Sequence, residues 1–221
     1  MMRTGRYDRP GQGFRYNLID IAIAVAVGFG VSLAFLLALD RAARADFDEG
    51  LAAYQRGDYA MALAEWRPPA EQGDVRAQLR LGELYRDGKG VWRNGDDAAL
   101  WFRKAALQGN TAAQYYLARL HFEGFIVPRD TAEMMRWLSA AAGSGYWRAQ
   151  VTLGAVYEFG FDDLPPDLSE ALKCYELAAS HGAPEVQAMA QRLRERVRAK
   201  MTAGQIAEAL VRVRAWRPEA E

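Results

Sequence analysis

Between Ala77 and Gly182 one pattern of three dozen residues is written three times. The dipeptide Ala-Gln falls at Ala77-Gln78, Ala113-Gln114 and Ala149-Gln150, spaced 36 and 36, and a closing glycine falls at Gly73, Gly109, Gly145 and Gly182, spaced 36, 36 and 37. Other positions keep step: Leu81, Leu117 and Leu153; Tyr85, His121 and Tyr157; Gly88, Gly124 and Gly160; Trp101 and Trp137; Ala105-Ala106, Ala141-Ala142 and Ala178-Ala179. A period of this length marks a solenoid of stacked units, each of which cannot bury its apolar face alone. The expected fold is therefore all-α, an α-solenoid of stacked antiparallel helix pairs.

Within a unit the spacing predicts two helices. Ala77, Leu81, Gly82 and Tyr85 make one stripe at i, i+4, i+5 and i+8, and Gly88-Lys89-Gly90 ends that helix with residues that accept positive φ. Trp101, Ala105 and Gln108 ride a second helix that Gly109 closes, with Asn110 placed to cap the next. Gly82, Ala118 and Gly154 are expected to face Ala98, Ala105 and their equivalents, so that neighbouring helices approach closely while Leu, Tyr and Trp fill the layer.

The run Ala77-Gln-Leu-Arg-Leu-Gly-Glu-Leu-Tyr-Arg-Asp-Gly-Lys-Gly-Val91, followed by Trp101-Phe-Arg-Lys-Ala-Ala-Leu-Gln-Gly109, resembles a Sel1-like repeat, a relative of the tetratricopeptide repeat. Units are assigned to 77–112, 113–148 and 149–185. Departures are His121 in the tyrosine slot, Met134 where Ala98 and Ala171 stand, and one extra residue in Gly160-Phe-Asp-Asp-Leu164. The resemblance implies a right-handed superhelix that serves as a protein-interaction scaffold, usually without catalysis; no cofactor or metal is expected.

The array is flanked by caps. Residues 46–76, with Gly50, Tyr54, Gly57-Asp58-Tyr59, Ala62 and Leu63, resemble a degenerate tetratricopeptide unit; Trp66 lies one residue from the Trp101 slot, and Pro68-Pro69 are expected to interrupt its second helix. Residues 186–221 supply two capping helices, one with a stripe through Val186, Met189, Leu193 and Val197, the other opened by a capping box at Thr202-Ala-Gly-Gln205.

Residues 1–17 hold Arg3, Arg6, Arg9 and Arg15 against Asp8, and Ile21 to Leu39 are 19 residues without a charge. About 20 apolar residues cross a bilayer, and flanking arginines stay in the cytoplasm, so 18–40 is expected to be a transmembrane anchor with everything after Asp40 outside, on the periplasmic side. Ala43-Arg44-Ala45 has the form of a cleavage site, so removal after Ala45 as a signal peptide is the competing reading; the length of the apolar run favours the anchor.

Chemistry is scarce. Cys174 and His181 are seven residues apart on one expected helix, about 10.5 Å along its axis, too far for a thiolate–imidazole pair. Cys174 is read as a packing residue in the Trp101/Trp137 slot, His181 as a partner of terminal carbonyls, and His121 as a tyrosine substitute. With 28 basic and 28 acidic side chains, two histidines and one cysteine, the chain offers no general nucleic-acid surface, internal disulfide or metal-ligand spacing. Two charge clusters, the acidic Glu158, Asp162, Asp163, Asp167 and Glu170 and the basic Gln187–Arg217, read as solvated faces, the basic one doubling as an alternative interaction surface.

The leading function is a non-enzymatic scaffold or adaptor of the cell envelope that binds another protein or peptide segment. First helices of the pairs should line a concave groove, exposing the columns Arg76, Ala112, Arg148; Arg80, Tyr116, Thr152; and Glu83, Arg119, Ala155. Arg76, Arg80, Glu83, Tyr116, Arg119, Arg148 and Thr152 are the candidate partner-binding residues, arginine and tyrosine being favoured at binding hot spots. The competing classes are an envelope hydrolase acting on cell-wall peptides, for which no nucleophile–base or paired-carboxylate constellation is evident, and a membrane-tethered structural organiser.

Overall fold

The computed structural model describes residues 47–124, 127–181 and 184–216. Helix α1 covers residues 47–55. It is followed by α2 (Tyr59–Glu71), α3 (Val75–Asp87), α4 (Gly95–Leu107), α5 (Thr111–Glu123), α6 (Thr131–Gly143), α7 (Trp147–Phe159), α8 (Leu168–His181), α9 (Pro184–Arg198) and α10 (Ala203–Ala215). Successive helices from α2 to α9 pack on one another, and α10 returns to lie against α8. Segment 18–40, the cleavage site after Ala45 and the His181 side chain lie outside the described residues. Among the described residues no helix is long and apolar enough to cross a membrane.

The repeat has a polar mechanism as well as an apolar one. Gln78, Gln114 and Gln150 are buried, and each donates its side-chain amide to a carbonyl eight residues back, Ala70, Ala106 and Ala142, at 3.0, 3.3 and 3.2 Å. Those carbonyls belong to the last turn of a helix, where no intrahelical donor remains. The Ala-Gln mark thus ties each first helix to the end of the helix before it. Gln108 adds a second tie, donating to Gln78 Oε1 at 2.8 Å and to the Gly73 carbonyl at 3.2 Å.

Turns follow the expected glycines. Gly109, at φ 89°, leads from α4 to Asn110, whose side chain accepts from the Ala113 amide at 2.8 Å. Asp74 caps α3 in the same way, but the third first-helix begins after Tyr146, which makes no capping bond. The extra residue of the last unit is absorbed in a tight Phe161–Leu164 turn, closed by an isolated antiparallel bridge with Asp162 at φ 47°.

Three expectations need correction. Pro68 and Pro69 do not interrupt α2, because they fall in its last turn, where their own carbonyls accept from Gln72 and Asp74 amides at 3.2 and 2.9 Å. The glycines of the first helices face aromatic rings rather than alanines. A Cβ on Gly82 would lie 2.5 Å from the Phe102 ring, one on Gly154 2.5 Å from Tyr175, and one on Gly50 2.4 Å from Trp66. Trp66 therefore occupies the Phe102 slot, 36 residues ahead of it and one residue from the Trp101 slot, as its spacing indicated. In the middle unit the same two places hold Ala118 and Leu138, both buried: a slightly larger first-helix residue accompanies a smaller partner.

The third correction concerns the charge clusters, which meet in part: Glu158 and Glu170 pair with the basic segment, whereas Asp162 bonds to Arg129 and Thr131, Asp167 caps α8 and Asp163 is exposed. Glu158, its side chain wholly buried, accepts from Tyr175 Oη at 3.1 Å, Lys200 Nζ at 2.8 Å and Arg196. Glu176 accepts from Arg194 and Arg198 at 3.1 and 2.9 Å, and Glu170 from Arg212 at 2.6 Å. A carboxylate buried this deeply persists only when paired, so the basic residues of α9 and α10 fasten the cap to the last repeat. Burial alone would raise the Glu158 carboxyl, but hydrogen bonds from Arg196, Lys200 and Tyr175 outweigh it and hold the pKa below the ordinary 4.5. Cys174 is buried in the tryptophan slot, and burial pushes its thiol up to about 12, which leaves no thiolate at neutral pH.

Candidate interaction surface

The first helices α3, α5 and α7 carry a continuous aromatic and charged surface centred on Tyr116. Its ring lies 5.4 Å from that of Phe102, which is fully buried and forms the floor, and 5.6 Å from that of Tyr115. Tyr115 in turn is 5.4 Å from Tyr146, at the start of α7. The Arg86 guanidinium stands 4.6 Å from the Tyr116 centroid, a cation–π arrangement, and is held by Asp87 at 2.7 Å. Burial raises the Tyr146 phenol above its ordinary pKa, and Tyr116, Arg148, Tyr115 and Glu83 are all close enough to act on its charge.

Bare hydroxyls alone do not mark this surface, since Tyr59 and Tyr157 also lack a hydrogen-bond partner among the described residues; what marks it is that three such rings are neighbours. The hydroxyls of Tyr54, Tyr85 and Tyr175 bond to Lys89, Arg67 and Glu158. Those of Tyr115, Tyr116 and Tyr146 have no hydrogen-bond partner among the described residues; Tyr115 is buried in the core, whereas Tyr116 and Tyr146 are half-buried. Tyr146 also stands where Asp74 and Asn110 cap the equivalent helices, a substitution that forgoes about 1 kcal/mol of capping.

The Sel1 repeat model matches residues 75–110, 111–146 and 147–182. The chain carries three Sel1 repeats. Each begins at the first residue of α3, α5 or α7, two residues ahead of the Ala-Gln mark. A Sel1 repeat protein from Oxalobacter formigenes is 29% identical, with a TM-score of 0.57, over 64% of this chain and 56% of its own. A protective antigen present in uropathogenic Escherichia coli strains, displaying an SLR fold, is 25% identical with a TM-score of 0.52, over 79% of this chain and 45% of its own. The chain spans about half the length of these two structures. No curated protein matches it. Sel1 repeat proteins generally act as protein–protein interaction scaffolds and are typically non-enzymatic.

The Sel1 array distributes the residues singled out in the sequence unevenly. Glu83, Tyr116, Arg119 and Arg148 share the neighbourhood of Arg86 and Tyr146, and Arg80 joins it through Glu83 at 2.8 Å. Arg76 is turned away, bonded to Asp74 at 3.0 Å with its guanidinium 4.3 Å over Phe47 of α1. Thr152 spends its hydroxyl on the Arg148 carbonyl at 2.8 Å. Arg119 pairs with Glu123 on its own helix, so the line is less cationic than a list of its arginines implies. Arg148 is the exception: it is exposed, rests 5.0 Å over Trp147, and has no carboxylate partner among the described residues. Sequence reasoning missed Arg86, Tyr115 and Tyr146. The signals were present in the adjacent Tyr115-Tyr116 pair and in a tyrosine standing at a capping position.

Proposed function

We propose that this Sel1 array is a non-enzymatic scaffold of the cell envelope that holds a segment of another protein on the α3–α5–α7 surface. The observation that carries this reading is the run Tyr116, Tyr115, Tyr146, three neighbouring rings whose hydroxyls make no bond within the described fold. Tyrosine offers large rigid apolar area with a polar tip at small entropic cost, which is why it concentrates at interfaces. The glutamines, glycines and buried rings of the repeat explain the stack, whereas nothing in the stack requires these hydroxyls to be bare. Envelope placement rests on the arginine-flanked uncharged run Ile21–Leu39, which suits an anchor or export signal that carries the repeats to the periplasmic side.

The test is affinity capture from envelope fractions with wild type, Tyr116→Ala, Arg119→Ala and Arg80→Ala, all checked for unchanged helicity and melting. A hot-spot residue is expected to cost at least about 2 kcal/mol, some thirtyfold in affinity. Unchanged capture by all three variants would remove the groove assignment.

A further inference from the structure

Within that scaffold reading, we infer that the occupant of the tyrosine surface is an extended, proline-containing segment with an acidic residue, laid down as a polyproline II helix with its carboxylate at Arg148. Three observations converge on this. The first is the hydrogen-bonding inventory. Tyr115, Tyr116 and Tyr146 present hydroxyls without a partner among the described residues. An α-helical ligand has already used its backbone carbonyls internally and can answer those donors only with side chains. A polyproline II backbone has no internal hydrogen bonds, so every carbonyl is free to accept.

The second observation is spacing. Successive ring centroids are 5.6 and 5.4 Å apart, from Tyr116 to Tyr115 and from Tyr115 to Tyr146. These two steps allow at most about 11 Å between Tyr116 and Tyr146, which admits the roughly 9 Å between residues on one face of a polyproline II helix, three residues apart at about 3.1 Å each. Prolines at that spacing would rest on Tyr116 and Tyr146, the two half-buried rings, with the buried Tyr115 and Phe102 beneath them. A flat pyrrolidine ring on an aromatic face, with the hydroxyl at its edge bonding the neighbouring carbonyl, is the recognition chemistry of aromatic grooves in general.

The third observation is charge. Arg80, Arg86 and Arg119 are neutralised by Glu83, Asp87 and Glu123. Arg148 has no carboxylate partner among the described residues, and it lies close enough to Tyr146 to act on its phenol. One uncompensated cation at one end of an otherwise balanced surface suits a single carboxylate, and it fixes the direction in which the segment lies.

The experiment uses the full-length protein in detergent micelles and fluorescein-labelled ten-residue peptides with prolines three residues apart. Glutamate is placed two residues before the prolines in one peptide and two residues after them in the other, because a polyproline II helix can be laid down in either direction. One of the two is expected to bind saturably by fluorescence anisotropy. Replacing its prolines by alanine should weaken it at least tenfold, and replacing its glutamate by lysine, or Arg148 by glutamine, about fivefold. Tyr116→Phe and Tyr146→Phe keep the rings and remove the hydroxyls, and each should weaken binding about fivefold. Equal or tighter binding of the alanine peptide would make the occupant a helix and overturn the inference, as would Phe variants that bind like wild type. If neither proline peptide binds while Tyr116→Ala still abolishes capture from envelope fractions, the polyproline inference fails and the scaffold surface stands. If Tyr116→Ala, Arg119→Ala and Arg80→Ala all leave capture intact, the surface itself is wrong.

Discussion

The ring of Phe102 occupies the space in which a side chain on Gly82 would begin: an added Cβ would meet its Cδ1 and Cε1 atoms at 2.5 Å. Both residues are buried, and Phe102 has no exposed edge toward which to swing. Gly82→Ala would gain up to about 1 kcal/mol of helix propensity, but overpacking a filled core costs about 1–3 kcal/mol, so a net loss of roughly 1 kcal/mol is expected by chemical denaturation. The double variant Gly82→Ala, Phe102→Leu reproduces the Ala118/Leu138 solution of the middle repeat and should recover much of that loss, which a double-mutant cycle would read as a favourable coupling energy.

Gln78 has both ends of its amide bonded, the second by Gln108, whereas Gln114 Oε1 is buried without a partner among the described residues. The place equivalent to Gln108 in the next repeat is Ser144, whose side chain is too short for that bond. Ser144→Gln is expected to raise stability by about 1 kcal/mol, seen as a shift in the denaturation midpoint with an unchanged slope.

These two pairs show what was legible in the sequence. Period, helix pairing, glycine turns and Asn110 as a cap follow from single residues at fixed spacing, and a 36-residue register exposes them without knowledge of what touches what. Partners across helices were harder to read. Gly82 is small for a ring twenty residues later, and nothing local distinguishes that ring from Ala98 or Ala105 as the reason. Pro68-Pro69 misled because a proline's effect depends on how many turns follow it, which is a question of helix ends. The two charge clusters were read separately because each is local in sequence, yet Glu158 and Lys200 meet only once α8 and α9 have folded back. At the candidate site, Tyr116 stood out by residue type, but Arg76, Arg119 and Thr152 looked equivalent to it, because repeat columns do not reveal which side chains have partners at home.

The pairing of Glu158 sets a pH dependence. Its folded pKa is depressed below the ordinary 4.5, so the folded state binds this proton less readily than the unfolded state does. The stability it contributes is present above that ordinary value and is lost as pH falls through the lower, folded pKa. Glu158→Gln should cost about 2 kcal/mol near neutral pH, the order of hydrogen bonds to a charged group, and should flatten the acid limb of the stability profile between pH 5 and 3. Unfolding followed by urea at several pH values measures both.

Export is tested by topology. If the proposed export is right, a reporter that is active only in the periplasm, fused after Asp48, should be active, since arginines ahead of an uncharged run such as Ile21–Leu39 favour a cytoplasmic N-terminus. Activity only of a cytoplasm-dependent reporter at the same point would reverse the orientation. The mass of the mature chain then separates the two forms of export: a start at Asp46 means cleavage, and an intact N-terminus means an anchor.

The central claim is that this Sel1 array holds a protein segment on the tyrosine surface of its first helices. Site-specific photocrosslinking tests it most directly, with a photoreactive phenylalanine derivative at position 116, at position 104 on the exposed flank of α4, and at position 192 on the capping helix α9. The account predicts one discrete adduct from position 116, lost when Tyr146→Ala is added, and none from positions 104 and 192. Adducts from position 104 or 192 with none from position 116 would contradict it.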